Sequence, residues 1–319
     1  MNEGCREILS VIGPTASGKT LLSLELARRL KGEIISVDSR QVYRVMDIGT
    51  DKISREIREE IPHHLIDVVN PDEIFSAADF AARAARAVEE IAARGRVPIL
   101  AGGTPFYYRA LFSDIIDFGG QRWDDTRREY EKKWDKGGSD LLYRRLEGLD
   151  PVYAGKVHRN DRFRVIRALS IIDRTGKNPT SLRRESQGRG SCLAPLYVGL
   201  YPGRAELYRK IGERVREQFS SGYPEEVRSL LDRGYGPDLP SMKGFGYREL
   251  VAFHEGKISI EEAIEGDIRA TKAFSRRQMT WFRRFSPGLW YYVTGVPLQD
   301  IARKVVDLWE ARIRGQQGT

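Results

Sequence analysis

Short apolar runs alternate with amphipathic stretches along the first third of the chain. Glu7-Ile8-Leu9-Ser10-Val11-Ile12 is brief and rich in β-branched residues, as in a buried strand, and Leu22, Leu26 and Leu30 then recur every four residues on one helix face. Glu33-Ile34-Ile35-Ser36-Val37-Asp38 predicts a second strand and His64-Leu65-Ile66-Asp67-Val68 a short third. Ser76 opens a helix, with Asp79 completing a capping box. Phe80, Ala84, Val88 and Ile91 form its apolar face, and Gly95 ends it. Val97-Pro98-Ile99-Leu100-Ala101 is another strand. Strands alternating with helices predict parallel βαβ units, whose ligands bind beyond the carboxyl ends of the strands.

The pattern changes near Asp114. Segments 124–135, 139–147 and 158–174 have helical periodicity and are separated by Gly-Gly, Asp-Pro and Gly-Lys-Asn-Pro breakers. Val165, Ile166, Leu169 and Ile172 make a packing face, with Arg164 and Arg167 one turn apart on another. Leu196-Tyr197-Val198-Gly199-Leu200 restores the strand pattern. Leu207, Ile211, Val215 and Phe219 follow as a buried helical stripe, and Pro224 starts a short helix. Ser259 and Glu262 form a second capping box before a long helix. Trp290-Tyr291-Tyr292-Val293 predicts an edge strand, before a last helix and a polar tail over 315–319. The fold expected is α/β: a parallel-sheet core over 1–113 and 196–319, interrupted by an all-helical insertion over 114–195.

One stretch gives this frame its chemistry. Gly13-Pro14-Thr15-Ala16-Ser17-Gly18-Lys19-Thr20 fits the phosphate-binding loop pattern and lies between the first strand and the first helix, the context that motif needs. Its glycines let backbone N–H groups close on phosphate oxygens. Lys19 offers a mobile cation and Thr20 a hydroxyl ligand for Mg²⁺. The motif specifies a polyphosphate, not which one or its fate. Asp38 falls at the end of the neighbouring strand, either as a carboxylate facing the same crevice or as a turn residue before Ser39. After Ala101, Gly102-Gly103-Thr104 stands where many nucleotide hydrolases place a metal-holding Asp, which speaks against an ordinary ATPase or GTPase. Glycines there would let a bulky ligand approach the backbone.

Charge adds a partner class. The net charge is +8 and the pI about 9.4, which favours an acidic partner, nucleic acid first, or simply marks a basic enzyme. Residues 158–190 hold nine Lys or Arg against three Asp or Glu, and 267–285 hold six against one, interleaved with Phe274, Trp281, Phe282 and Phe285. Cations between rings suit a nucleic-acid groove, although rings facing the core and cations facing water give the same spacing. Cys5 and Cys192 suggest neither a disulfide framework nor a zinc site, and a reducing cytoplasm is the expected setting. His63 and His64 lack partners at metal spacing and are expected to be structural. No apolar run approaches the roughly 20 residues of a membrane helix, and the N-terminus is too polar for a secretory signal.

Together these motifs resemble the bacterial tRNA dimethylallyltransferases, nearly end to end. The resemblance rests on the loop at 13–20, Ser36-Val37-Asp38-Ser39-Arg40-Gln41-Val42-Tyr43, Met46-Asp47-Ile48-Gly49-Thr50, Gly102-Gly103-Thr104, Asn160-Asp161 with Arg164 and Arg167, Gly246-Tyr247-Arg248, and Arg277-Gln278 with Thr280-Trp281-Phe282. Departures are Arg159, where the family usually has proline, and the Phe274-Ser275 pair; the zinc finger of eukaryotic relatives is missing. The resemblance implies transfer of a dimethylallyl group from its diphosphate to N6 of adenine at tRNA position 37. It casts Asp38 as general base, residues 13–20 as the diphosphate cradle, Thr15 near the breaking bond, Thr104 against donor and adenine, and Mg²⁺ on Thr20. It assigns tRNA contact to Asp38, Ser39, Arg40, Gln41, Thr104, Arg127, Phe163, Arg164, Val165, Ile166, Arg167, Lys243, Gly244, Phe245, Gly246, Tyr247 and Arg248. A monomer is expected. The rival readings are a small-molecule or nucleoside kinase, a non-catalytic RNA binder, and a prenyltransferase of free adenine nucleotides.

Overall fold

The computed structural model describes residues 5–112, 123–186, 192–285 and 288–317. In chain order the first part of the core contains β1 (Arg6–Ile12), α1 (Lys19–Leu30), β2 (Gly32–Ser36), α2 (Arg55–Glu60), β3 (His63–His64), α3 (Ala77–Ala93), β4 (Val97–Gly102) and α4 (Pro105–Phe112). Among the described residues five α-helices follow: α5 (Trp123–Lys133), α6 (Ser139–Leu149), α7 (Pro151–Ala154), α8 (Arg162–Thr175) and α9 (Pro179–Ser186). The core resumes with β5 (Leu193–Tyr201), α10 (Arg204–Ser220), α11 (Tyr223–Asp232), α12 (Tyr247–His254), α13 (Ile260–Phe282), β6 (Gly288–Tyr292) and α14 (Leu298–Gln317).

Among the described residues six strands form one sheet in the order β3-β2-β4-β1-β5-β6, parallel throughout. β1 lies inside it, so both its faces are covered and its sequence is apolar almost without a break. Ile8 and Ile12 face a layer built on α3, α4 and α10 to α13. Leu9 and Val11 face the opposite layer, α1 and α14, with Leu22, Leu26, Ile301 and Val305. The stripe Leu207, Ile211, Val215 and Phe219 is buried as its spacing predicts, and both capping boxes form. Phe282 and Phe285 join this core, whereas Trp281 is exposed.

Several expectations need correction. The third strand is only two residues long, because Leu65 and Asp67 take positive φ values of 63° and 56° and turn the chain away. Helix α8 starts at Arg162, not 158, where Asp161 caps it through the Arg164 N–H at 3.0 Å. Strand β5 begins at Leu193, so the last residues assigned to the insertion belong to the sheet; residues 113–122 lie outside the described residues. The backbone of α14 is helical to Gln317, into the stretch expected to be a frayed tail. Cys5 and Cys192 form a disulfide. Their separation of 187 residues hides the reason: Arg6 and Leu193 are register partners on adjacent strands, which places the preceding cysteines side by side.

The helices α5 to α9 enclose a separate apolar cluster that includes Tyr130, Leu142, Leu146, Val165, Ile166 and Leu169. Asp150 is buried beside it and accepts hydrogen bonds from the Tyr153 and Thr180 N–H groups and the Thr180 hydroxyl. No helix among the described residues is long and apolar enough to cross a membrane.

Candidate active site

The carboxyl ends of β1, β2 and β4 open into one cavity of about 650 Å³, lined by Thr15 to Thr20, Asp38 to Gln41 and Ala101 to Thr104. The cradle is shaped by its glycines. Gly13 has φ 151°, and a Cβ there would stand 2.6 Å from the Leu200 carbonyl oxygen, so a side chain would push the loop off β5. The Ser17 hydroxyl is buried without a partner among the described residues. A buried polar atom normally finds one, so this hydroxyl fits a cradle built to close on an anion.

Lys19 Nζ donates to the Pro14 carbonyl oxygen at 2.6 Å. Burial lowers its pKa to about 7, with repulsion from Arg214 adding to the shift and Asp38 and Asp51 opposing it. A bound polyanion would favour the ammonium and raise that pKa, so binding takes up a proton. Diphosphate affinity is therefore expected to fall as pH rises through 7, by up to about tenfold per unit until the bound-state pKa is passed. Calorimetric titration at several pH values measures this. Lys19→Arg, which stays charged, should flatten the Lys19 part of the dependence.

Asp38 lies two residues beyond β2. Its Oδ1 accepts the Arg40 N–H at 2.8 Å and the Gln41 N–H, more weakly, at 3.4 Å. Both readings of this residue therefore hold: one oxygen stabilises the turn, while the side chain lines the cavity. Among the described residues, no hydrogen bond engages Oδ2. Thr104 joins the two strand ends, since its N–H donates to the Val37 carbonyl oxygen and its Oγ1 accepts the Ser39 N–H, each at 3.1 Å. The adjacent glycines are explained by the protein itself rather than by a ligand. A Cβ at Gly102 would lie 2.1 Å from Val37 O, and one at Gly103 2.4 Å from Gln278 Nε2.

Two residues unremarked in the periodicity complete the site. Arg214, on α10, donates to Thr15 Oγ1 at 2.6 Å and pairs with Asp51 at 3.1 Å. Gln278, on α13 and 2% exposed, accepts the Thr15 N–H at 2.8 Å and donates to the Gly103 carbonyl oxygen at 2.6 Å. Arg214 is hidden in sequence among the cations of an ordinary amphipathic helix. Gln278 carried a signal, as part of the Arg277-Gln278 motif, but nothing in the pattern told its role. A third residue, Asp267, is buried in the cavity wall, accepts the Thr271 hydroxyl at 2.9 Å, and is pushed up to about pKa 6 by burial.

The structure brings some of the expected RNA-contacting residues together. Arg40 donates to the Ser241 carbonyl oxygen at 2.6 Å and lies against Gly244, which joins residues 38–41 to the turn at 243–248. Phe245 and Phe274 line the cavity with ring centroids 5.1 Å apart. On the helical insertion, Arg127 covers the exposed Phe163 ring at 5.6 Å, and Arg164 is exposed beside Asp161. Gln41 is turned inward, from Ser36 to the carbonyl oxygens of Thr50 and Asp51.

Three assignments do not survive. Val165 and Ile166 are 0% and 3% exposed in the cluster of the insertion, because they occupy the inner face of α8. Tyr247 is 1% exposed, with its hydroxyl on Glu226, so neither its ring nor its hydroxyl is offered to RNA. His63 and His64 are structural, bonded to the Ile61 carbonyl oxygen and to Glu33.

The IPP transferase family model matches residues 41–285. This chain belongs to the IPP transferase family. A tRNA dimethylallyltransferase of Alkaliphilus metalliredigens is 42% identical over 303 residues, spanning 94% of this chain and 96% of the relative. The crystal structure of the full-length tRNA isopentenylpyrophosphate transferase from Bacillus halodurans is 36% identical, covers 98% of both chains and superposes with a TM-score of 0.71. A eukaryotic dimethylallyltransferase acting on tRNA is 29% identical over 87% of this chain and 70% of its own, with a TM-score of 0.76. This family member is thus a prenyltransferase built on a P-loop α/β core with a helical domain.

Proposed function

We propose that this enzyme transfers a dimethylallyl group from dimethylallyl diphosphate to N6 of adenine 37 in tRNA. The observation carrying the reading is that the phosphate cradle and Asp38 share one cavity, with Arg214 at the cradle and no carboxylate at the end of β4. Backbone N–H groups at the Gly18-Lys19-Thr20 end of the cradle, together with Lys19 Nζ and Arg214, hold the diphosphate and stabilise the charge it gains as its bond to the allylic carbon breaks. Adenine's exocyclic amine is a weak nucleophile because its lone pair is delocalised. Asp38 orients the amine and takes its proton as the N6–carbon bond forms, with diphosphate as leaving group. Thr15 and Thr104 flank the reacting groups. The target base must leave the anticodon stack to reach the cavity.

Mg²⁺ fits this arrangement with Thr20 as protein ligand. The residue is exposed in the first turn of α1, and among the described residues no cluster of three acids, histidines or cysteines competes for the ion. Most of its ligands would then be diphosphate oxygens and water, as Mg²⁺ prefers. When bound it neutralises charge on the leaving group.

The test mixes the protein, unmodified tRNA, Mg²⁺ and labelled dimethylallyl diphosphate, and maps the label; ATP is the control donor. Label on the adenine beside the anticodon is expected. Transfer only to free adenine nucleotides, or phosphoryl transfer from ATP, would overturn the reading. Affinity for tRNA is expected to fall steeply with salt, because Arg127, Arg164 and the exposed cations Arg276 and Arg277 are suited to phosphates. A flat response in a filter-binding titration would remove these faces as the docking surface.

A further inference from the structure

The motif Asp47-Ile48-Gly49-Thr50 lines the cavity only at Gly49 and Thr50, yet it is held by an unusual set of bonds. The Glu226 carboxylate, on α11, accepts the N–H groups of Asp47 at 2.7 Å, Ile48 at 2.6 Å and Gly49 at 3.3 Å. The Tyr247 hydroxyl, on α12, donates to the same carboxylate at 2.7 Å. Gln218, on α10, donates to the Ile48 carbonyl oxygen at 2.8 Å. The Tyr223 ring lies so close to Gly49 that a Cβ there would meet it at 2.1 Å. Three helices thus grip one loop.

The far end of that loop serves the site. Asp51 pairs with Arg214, which reaches Thr15 in the cradle. The carbonyl oxygens of Thr50 and Asp51 fix Gln41, whose side chain also takes the Ser36 hydroxyl. We infer that Glu226 and Tyr247 are positioning residues for the donor site, acting through the 47–51 loop on Arg214 and Gln41. The inference rests on the reading of residues 13–20 and Arg214 as the diphosphate site. It gives buried Tyr247 a role other than RNA contact. One carboxylate receiving three consecutive amides fixes the loop's backbone, and a guanidinium displaced by as little as 1 Å loses much of its grip on a leaving group.

Tyr247→Phe keeps the ring that packs on Tyr223 and removes one donor. Glu226 retains its three amides, so the variant should fold. Inorganic diphosphate affinity and the KM for the donor are expected to weaken about fivefold, the size of one lost hydrogen bond. Glu226→Gln, which keeps one carbonyl oxygen, is expected to weaken them about tenfold or more. The double variant should be no worse than Glu226→Gln alone, because both residues act on one loop. Affinity for tRNA without donor should stay within about twofold of the parent, as a purely RNA-contacting role would not allow. Unchanged diphosphate binding in both variants would overturn the inference while leaving the cradle reading intact. So would a loss confined to tRNA affinity, which would restore Tyr247 as an RNA contact. A parent protein that fails to bind diphosphate would overturn the cradle reading and this inference with it.

Discussion

Asp38→Asn is expected to lower single-turnover transfer at least about a hundredfold while leaving tRNA affinity nearly unchanged. The substitution is well suited to the question because of how the residue is used. Oδ1 accepts two backbone N–H groups, and an asparagine oxygen in the same place can accept them too. The turn carrying Ser39, Arg40 and Gln41 is therefore preserved, and only the basicity of the carboxylate is removed. A properly placed general base typically supplies about 10²–10⁴-fold, which sets the size of the loss. Rates at saturating donor and tRNA, measured beside tRNA binding, separate the two effects. Near-native turnover would remove Asp38 as the proton acceptor; a matching loss of tRNA affinity would instead make it a binding residue.

Arg214→Ala is expected to reduce kcat/KM for the donor by about 10²–10³-fold, the range seen when one preorganised donor to a developing anion is lost. In this structure the guanidinium spans Thr15 Oγ1 and the Asp51 carboxylate, and its Nε is buried without a partner among the described residues. It is held at the cradle with donor capacity in reserve. Arg214→Lys keeps the charge but not the planar fork, and should recover only part of the loss. Donor KM, diphosphate affinity and turnover measured for both variants decide the matter. If alanine weakened only thermal stability, Arg214 would belong to the scaffold of the 47–51 loop and not to the chemistry.

The cradle and Asp38 were legible in the chain because their signals are local. A loop flanked by a strand and a helix, and a carboxylate at a strand end, are each contained in a few consecutive residues. Arg214 and Gln278 reach the same cavity from α10 and α13, after the chain has left the core and returned, and no periodicity encodes that approach. The disulfide was missed for the same reason: counting cysteines says nothing about which strands lie side by side, and β5 joins β1 only after the helical insertion. Spacing was the better guide at Val165 and Ile166: periodicity put both on a packing face, where they lie, whereas the resemblance assigned the whole run 163–167 to RNA although a helix turns consecutive residues to different faces. Gly102 and Gly103 marked a close approach correctly; the approaching groups are Val37 and Gln278.

Gln278 holds the cradle at Thr15 with one end of its amide and the end of β4 at Gly103 with the other. That span is as short as a side-chain amide, so the walls on this side cannot part without severing one of the two bonds.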